Sequence, residues 1–111
     1  MADCIFCRIA AHEAPATIRY EDGDAVAFDD LGRRAPLHVL VIPRRHVASL
    51  AEADAATIGA VGAAAARVAR DAGYAERGYR VVTNVGPEAG QSVPHLHFHV
   101  LAGRQLGWPP G

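Results

Sequence analysis

Near one end the chain reads His95-Leu96-His97-Phe98-His99-Val100-Leu101, three imidazoles at i, i+2 and i+4 with apolar residues between them. A β-strand sends alternate side chains to opposite faces. Taken as a strand over 95–102, this stretch lines His95, His97 and His99 along one face and turns Leu96, Phe98 and Val100 toward a core. Imidazole is the side chain best suited to proton transfer and nucleophilic attack near neutral pH. Same-face neighbours are about 6.6 Å apart, so His95 and His99 stand about 13 Å apart, too far to share a metal with bonds of about 2 Å. Two adjacent members can share an ion, but the row suits divided duties: one histidine attacks, another orients it or exchanges protons, and one is structural. An attacking histidine forms a covalent bond to phosphorus and splits one difficult displacement into two easier ones.

The preceding residues suit phosphorus chemistry. Asn84-Val85-Gly86-Pro87-Glu88-Ala89-Gly90-Gln91-Ser92 is a polar loop entering the histidine strand. Gly86 and Gly90 allow backbone conformations that a Cβ would block, and their N–H groups are candidates for an anion-binding nest. Asn84, Gln91 and Ser92 add side-chain donors. The same composition also makes an ordinary hairpin loop, and the absence of a following Lys-Ser/Thr excludes a Walker A loop.

These residues need a scaffold, and the rest of the chain supplies one domain over residues 1–111. A short helix is expected over residues 4–11, ending before Pro15. Thr17 to Glu21 and Ala25 to Asp29 form a hairpin across Asp22-Gly23-Asp24. His38-Val39-Leu40-Val41-Ile42 is nearly continuously apolar and therefore central, with His38 on the face of Leu40 and Ile42. Asp54 caps the main helix, whose buried stripe is Ile58, Val61, Ala65, Val68 and Ala72. Gly73 ends it, with Arg67 and Arg70 in its last turns. Tyr79 to Val85 and His95 to Ala102 are the last strands. Helix, three strands, helix, two strands predicts an α+β fold on an antiparallel sheet.

Composition narrows the functional classes. The chain has 111 residues, half of them hydrophobic, and a formal net charge of −1. That length holds one core. Arg33-Arg34 and Arg44-Arg45 are isolated pairs, so no basic stripe for nucleic acid is expected. The long helical stretch carries charges and does not read as a membrane span. Met1-Ala2-Asp3 lacks the regions of a signal peptide. A cytoplasmic protein with reduced thiols is expected.

The triad segment resembles the signature of the histidine-triad (HIT) superfamily, His-φ-His-φ-His-φ-φ. The likeness covers nearly the whole chain. Asp3-Cys4-Ile5-Phe6-Cys7-Arg8-Ile9 resembles the family's N-terminal helix, and Ala27-Phe28-Asp29-Asp30 and Ala35-Pro36-Leu37-His38-Val39-Leu40-Val41-Ile42-Pro43 its central strands. Gly90-Gln91-Ser92-Val93 resembles the run that precedes the triad. Gly103-Arg104-Gln105-Leu106-Gly107-Trp108-Pro109-Pro110-Gly111 is similar to the tail of the histidine-triad nucleotide-binding branch. The uridylyltransferase branch has Gln where this chain has His99, and the fragile-histidine-triad branch of diadenosine-polyphosphate hydrolases lacks this tail.

The resemblance implies a HIT-like fold, a five-stranded antiparallel sheet with two helices, and a homodimer that joins two sheets. It implies a hydrolase acting on purine nucleoside 5′-phosphoramidates or related nucleotidyl compounds through a nucleotidyl-histidine, with a purine nucleotide as the small-molecule ligand. His97 is then the nucleophile, His99 and His38 set its tautomer and assist proton movement, and Ser92 with Gln91 holds phosphate oxygens and leaving group. Asp30 accepts the ribose hydroxyls, and Ile5, Phe6, Ile9, Phe28 and Leu31 wall the base, although each is equally at home in a plain core. Asn84 and Gly90 complete the nucleotide-binding set. Pro94 stands where an aromatic residue is frequent and, lacking an N–H, alters the strand edge.

Cys4-x-x-Cys7 puts two thiols on one helix face. Only three residues precede it, too few for the strand of a thioredoxin-like motif. Two cysteines alone do not make a zinc site and also read as small buried hydrophobes. Some histidine-triad relatives with this pair hold structural zinc with two further histidines, and the matching positions are His46 and His95. No metal is expected in catalysis. Gly59, Gly62, Ala63 and Ala66 on the main helix leave room for a close partner, and by resemblance the tail crosses to that partner's leaving-group pocket. Alternatives are a nucleotide-binding regulatory module with little catalysis, a diadenosine-polyphosphate hydrolase, and a metal-binding protein without catalysis.

Overall fold

The computed structural model describes residues 4–111; Met1-Ala2-Asp3, and with it the reading of those residues, lies outside the described residues. Helix α1 (Ile5–Ala10) opens on Cys4, whose Sγ accepts the Cys7 N–H at 3.5 Å. Its buried residues, Phe6, Ile9 and Ala10, fall at helical spacing on one face. Strands β1 (Ile18–Glu21) and β2 (Ala25–Asp29) form the expected hairpin. Its turn is closed by Asp22, whose Oδ1 accepts the N–H groups of Asp24 and Ala25, both at 2.8 Å, the local bonding that suits Asp to turns.

Strand β3 (Leu37–Pro43) is buried at all seven positions and pairs with β2 on one side and β5 (Phe98–Ala102) on the other. With β4 (Arg80–Val82) the order is β1-β2-β3-β5-β4, antiparallel throughout. The α+β, five-stranded expectation is borne out. Helix α2 (Ala55–Asp71) is capped by Asp54, which accepts the Thr57 N–H at 2.8 Å, worth about 1 kcal/mol. Among the described residues, no helix is long and apolar enough to cross a membrane.

The sheet has two different faces. Helix α2 covers Ala25, Ala27, Val39, Val41, Phe98 and Val100 with the small, buried Val61, Ala64, Ala65, Val68 and Ala69. The stripe differs from expectation at its ends: Ile58 is half-buried, and Ala72 is the exposed C-cap, because the helix stops at Asp71 ahead of Gly73 (φ 89°). Helix α1 packs on the other face against Val26, Phe28, Leu40 and Ile42. His38 shares that face, as expected from its spacing to Leu40 and Ile42.

The last two strands are shorter than the expected 79–85 and 95–102. The β4–β5 ladder stops at Val82↔His99. Beyond it the Thr83 hydroxyl donates to the His97 carbonyl at 2.9 Å. The His95 N–H donates to Val93 O at 2.8 Å and the Leu96 N–H to Val47 O at 2.7 Å. Those competing acceptors lift His95 and His97 out of the strand. The side-chain alternation persists: Leu96 joins the α2 core, while the rings of His95 and His97 both lie against Phe6.

Strand β5 leaves the sheet through Gly103, with φ of 99°. A Cβ there would lie 2.7 Å from Pro36 Cβ and 3.0 Å from Tyr74 Oη. Gly103→Ala therefore combines backbone strain with overpacking and should cost about 2–3 kcal/mol of unfolding free energy, read by chemical denaturation. Gly23→Ala, with open space around it, is the control. A loss at Gly103 no larger than at Gly23 would contradict the close approach.

Candidate active site and metal centre

The three histidines of the row lie in three different surroundings. The innermost, His95, is fully buried. Its Nε2 lies 3.0 Å from Pro43 O; a carbonyl only accepts, so Nε2 carries the proton and Nδ1 keeps its lone pair. That Nδ1 is 3.3 Å from Cys4 Sγ, 3.5 Å from Cys7 Sγ and 3.2 Å from His46 Nδ1, and His46 Nδ1 is 3.3 Å from Cys7 Sγ. The four donor atoms lie within 4.8 Å of one another. Around a tetrahedral zinc with bonds of about 2.0–2.1 Å to N and 2.3 Å to S, neighbouring donors stand roughly 3.4–3.8 Å apart. These four contacts fall within a few tenths of an ångström of that range, so the residues fit such a cation. Both cysteines are free thiols, and burial together with the adjacent Cys4 raises the Cys7 thiol above its ordinary range. The cap and first turn of α1, the loop after β3 and the approach to β5 thus converge on one point.

The middle histidine faces a different environment. His97 Nδ1 lies 2.8 Å from the carbonyl of His95. It must donate there, which leaves the Nε2 lone pair across the ring; among the described residues that atom has no protein partner. The ring packs edge-on to Phe6 at 5.1 Å between centroids, and 5.1 Å from His99.

The third histidine ends a hydrogen-bonded chain. The Arg34 N–H donates to His38 Nδ1 at 3.0 Å, so neutral His38 carries its proton on Nε2. That proton goes to His99 Nδ1 at 2.9 Å, with Asp30 Oδ2 at 3.3 Å as a second acceptor. His99 is then left with its proton on Nε2. Both imidazoles are held below their usual pKa, in each case chiefly by burial; His97 and His38 lower His99 further, while Asp30 pulls both upward. A backbone amide therefore sets the tautomers of two side chains.

A cavity of about 320 Å³ opens on these groups. Ile5, Phe6, Ile9, Phe28 and Leu31, all expected as wall residues, line it, and Asp30, Ser92, His97 and His99 form its polar end. Leu40 and the Pro15-Ala16-Thr17 segment line it too and were not anticipated. Leu40 had a readable signal, two residues from His38 on one strand face; the loop had none. Asp30 also has a second engagement: Gly32 N–H donates to its Oδ1 at 2.8 Å, and Oδ2 faces His38.

The loop ahead of the triad departs from expectation. Gln91 Oε1 accepts the Gly86 N–H at 3.1 Å, and its Nε2 donates to Ala48 O at 2.8 Å and Val93 O at 3.1 Å. The Gly90 N–H donates to Pro87 O and the Gln91 N–H to Gly86 O. The amides expected to form an anion nest are thus spent inside the loop. Gln91 and Gly90 brace it and do not line the cavity, while Ser92 does. Asn84 lies on a neighbouring cavity beyond His99.

Burial of neutral His38 and His99 has a sign in pH. Their folded pKa values lie below the unfolded value of about 6.5, so the unfolded chain takes up protons first as pH falls. Stability should be fully present above about 6.5 and decline as pH drops toward the depressed folded values. Thermal melts at constant ionic strength should show a lower Tm at about pH 5.5 than at about 7.5, and His38→Gln should flatten that slope. A Tm independent of pH, or an unchanged slope in the variant, would contradict the neutral pair.

The chain is similar to known proteins over nearly its whole length. The HIT domain matches residues 11–106. A HIT-like protein of Synechococcus elongatus is 47% identical over 98% of this chain and 97% of its own length. Among solved structures, a HIT family hydrolase from Legionella pneumophila superposes with a TM-score of 0.94 at 41% identity, covering 98% of this chain and all of that one. A HIT family hydrolase from Clostridium thermocellum gives 0.91 at 44% identity over 96% of each chain. On its sequence, its sheet order and its histidine arrangement, the chain belongs to the HIT domain family.

Proposed function

We propose that the chain is a nucleotide-binding hydrolase that cleaves purine nucleoside 5′-phosphoramidates or related nucleotidyl compounds through a covalent nucleotidyl-histidine, in the manner of the histidine-triad nucleotide-binding branch. The observation that carries this reading is the locked tautomer of His97. Its Nδ1–H is tied to the His95 carbonyl, so Nε2 offers a lone pair at the wall of an apolar cavity without prior deprotonation. The hydrolase names of the two solved relatives support the reaction class.

In this reading the base lies against Phe6, Ile9 and Phe28, and the free lone pairs of Asp30 take the ribose hydroxyls. His97 Nε2 attacks the α-phosphorus. An N–P bond forms, the P–N bond to the leaving group breaks, and the amine departs with that electron pair and a proton taken from solvent, which the attacking water returns in the next step. Water then attacks the nucleotidyl-histidine, loses a proton, and releases the nucleoside monophosphate and neutral His97. His99 presents its Nε2–H toward the reacting phosphoryl group, held in that tautomer by His38, and Ser92 adds a hydroxyl where charge accumulates. His97→Ala should lower kcat/KM at least about a thousandfold while the protein still binds a nucleoside monophosphate. Mass spectrometry of substrate-trapped protein should place the adduct on His97. Near-full activity in the variant would refute the mechanism.

Cys4, Cys7, His46 and His95 are the proposed ligands of one structural zinc. The ion would neutralise the thiol pair and add its binding energy to folding; it stands apart from the phosphoryl chemistry. We further propose a homodimer, for which Gly59, Gly62, Ala63 and Ala66 leave room on α2. Native mass spectrometry reads both at once, and should give twice the chain mass with two zinc ions. Cys4→Ser/Cys7→Ser should lose the metal and melt lower. A monomeric, metal-free protein prepared without chelator would overturn both proposals.

A further inference from the structure

On the far side of His99 lies a second cavity, of about 370 Å³, between the β4–β5 edge and the C-terminal tail. His38 and His99 belong to its wall, so His99 separates two chambers. Their charges are opposite. The first is lined by Asp30 and by Asp29, whose charge Arg19 pairs from outside the cavity, and by no arginine. The second is lined by Arg34, Arg80 and Arg104, with Asn84 beside them and no carboxylate.

Arg19, Arg44, Arg45 and Arg67 each meet a carboxylate. Among the described residues, Arg34, Arg80 and Arg104 meet none within 4.0 Å, and neither do Arg8, Arg33, Arg70 and Arg77; what sets the three apart is that they share one wall. Two of them are nevertheless positioned. Arg104 donates through Nε to the Arg34 carbonyl at 2.8 Å and through Nη1 to the Gln105 carbonyl at 3.0 Å. The Arg80 guanidinium lies over the Trp108 ring at 5.9 Å. Donors already placed lose little freedom on binding, and guanidinium groups match the paired oxygens of carboxylates and phosphates.

We infer that this chamber is a leaving-group subsite selecting leaving groups that carry an anionic carboxylate or phosphate. The inference rests on His97 and His99 as the reacting pair. With the nucleoside in the first chamber and the phosphorus at His97, the group leaving on the other side of His99 enters the basic one. The P–N bond breaks with its electron pair going to the amine nitrogen, which takes up a proton; the anion elsewhere on that amine is what the arginines hold.

The test uses adenosine 5′-phosphoramidates of β-alaninamide, β-alanine and phosphoethanolamine, which carry a neutral, a carboxylate and a phosphate tail. The wild-type chain should show kcat/KM for the charged tails about tenfold or more above the neutral one, the scale of one charge-assisted hydrogen bond. The larger ratio tells which anion fits. Because differences in amine acidity are common to all forms of the protein, Arg80→Gln and Arg34→Gln should each remove most of the preference. Raising the salt should narrow it in the wild-type chain, a readout that needs no variant. Turnover of all three compounds with no preference, or a preference insensitive to both substitutions and to salt, would overturn the subsite alone. No turnover of any compound would overturn the phosphoramidate reading and the subsite with it.

Discussion

One residue, His95, holds the two sites together. The His95 ring is anchored on Pro43 O and turns its free nitrogen to Cys4, Cys7 and His46. The carbonyl of the same residue fixes the His97 proton. Any displacement of the cysteine–histidine cluster therefore moves the acceptor that sets the His97 tautomer. A carbonyl only accepts, so this bond makes the choice between the two ring nitrogens through a neutral backbone group. In a low-dielectric setting, an aligned neutral donor–acceptor pair avoids the desolvation cost of a carboxylate.

The scaffold keeps that residue in place from several directions. Helix α1 has six residues, far below the length at which a helix is stable by itself. Phe6 and Ile9 bury it against β2 and β3. Arg44 ties its end to the hairpin, donating to Ala10 O at 2.9 Å, Asp22 O at 2.7 Å and Glu21 Oε1 at 2.8 Å. Phe6 lies against Phe28, His95 and His97 at once. One aromatic ring thus belongs to the helix core, the cluster and the cavity.

Much of this was legible in the residue pattern because it follows from period-two alternation. Alternation placed Leu96 and Phe98 in the core, His38 beside Leu40, and the three imidazoles on a common side. The strand limits were not legible: they depend on Val47 O and Val93 O winning the N–H groups of Leu96 and His95, a competition that side-chain pattern does not record. The loop before the triad misled for a related reason. Its glycines and amides suit an anion, but Gln91 Oε1 takes the Gly86 N–H and Pro87 O takes the Gly90 N–H. The basic chamber was hidden because Arg34, Arg80 and Arg104 come from three distant segments, and only the fold brings them to one wall. Tail residues Leu106, Gly107, Pro109 and Pro110 line a chamber with His38 and His99 of the same chain.

Arg34 does its positioning through backbone atoms. Its N–H holds His38, and its carbonyl holds the Arg104 side chain that secures the tail. Neither contact reads the identity of the residue, since every amino acid except proline offers both groups. The side chain at this position is thereby released from the duty of orienting the imidazoles. Mutation can retune what the outer chamber recognises while the hydrogen-bonded chain to His99 passes unchanged from one variant to the next.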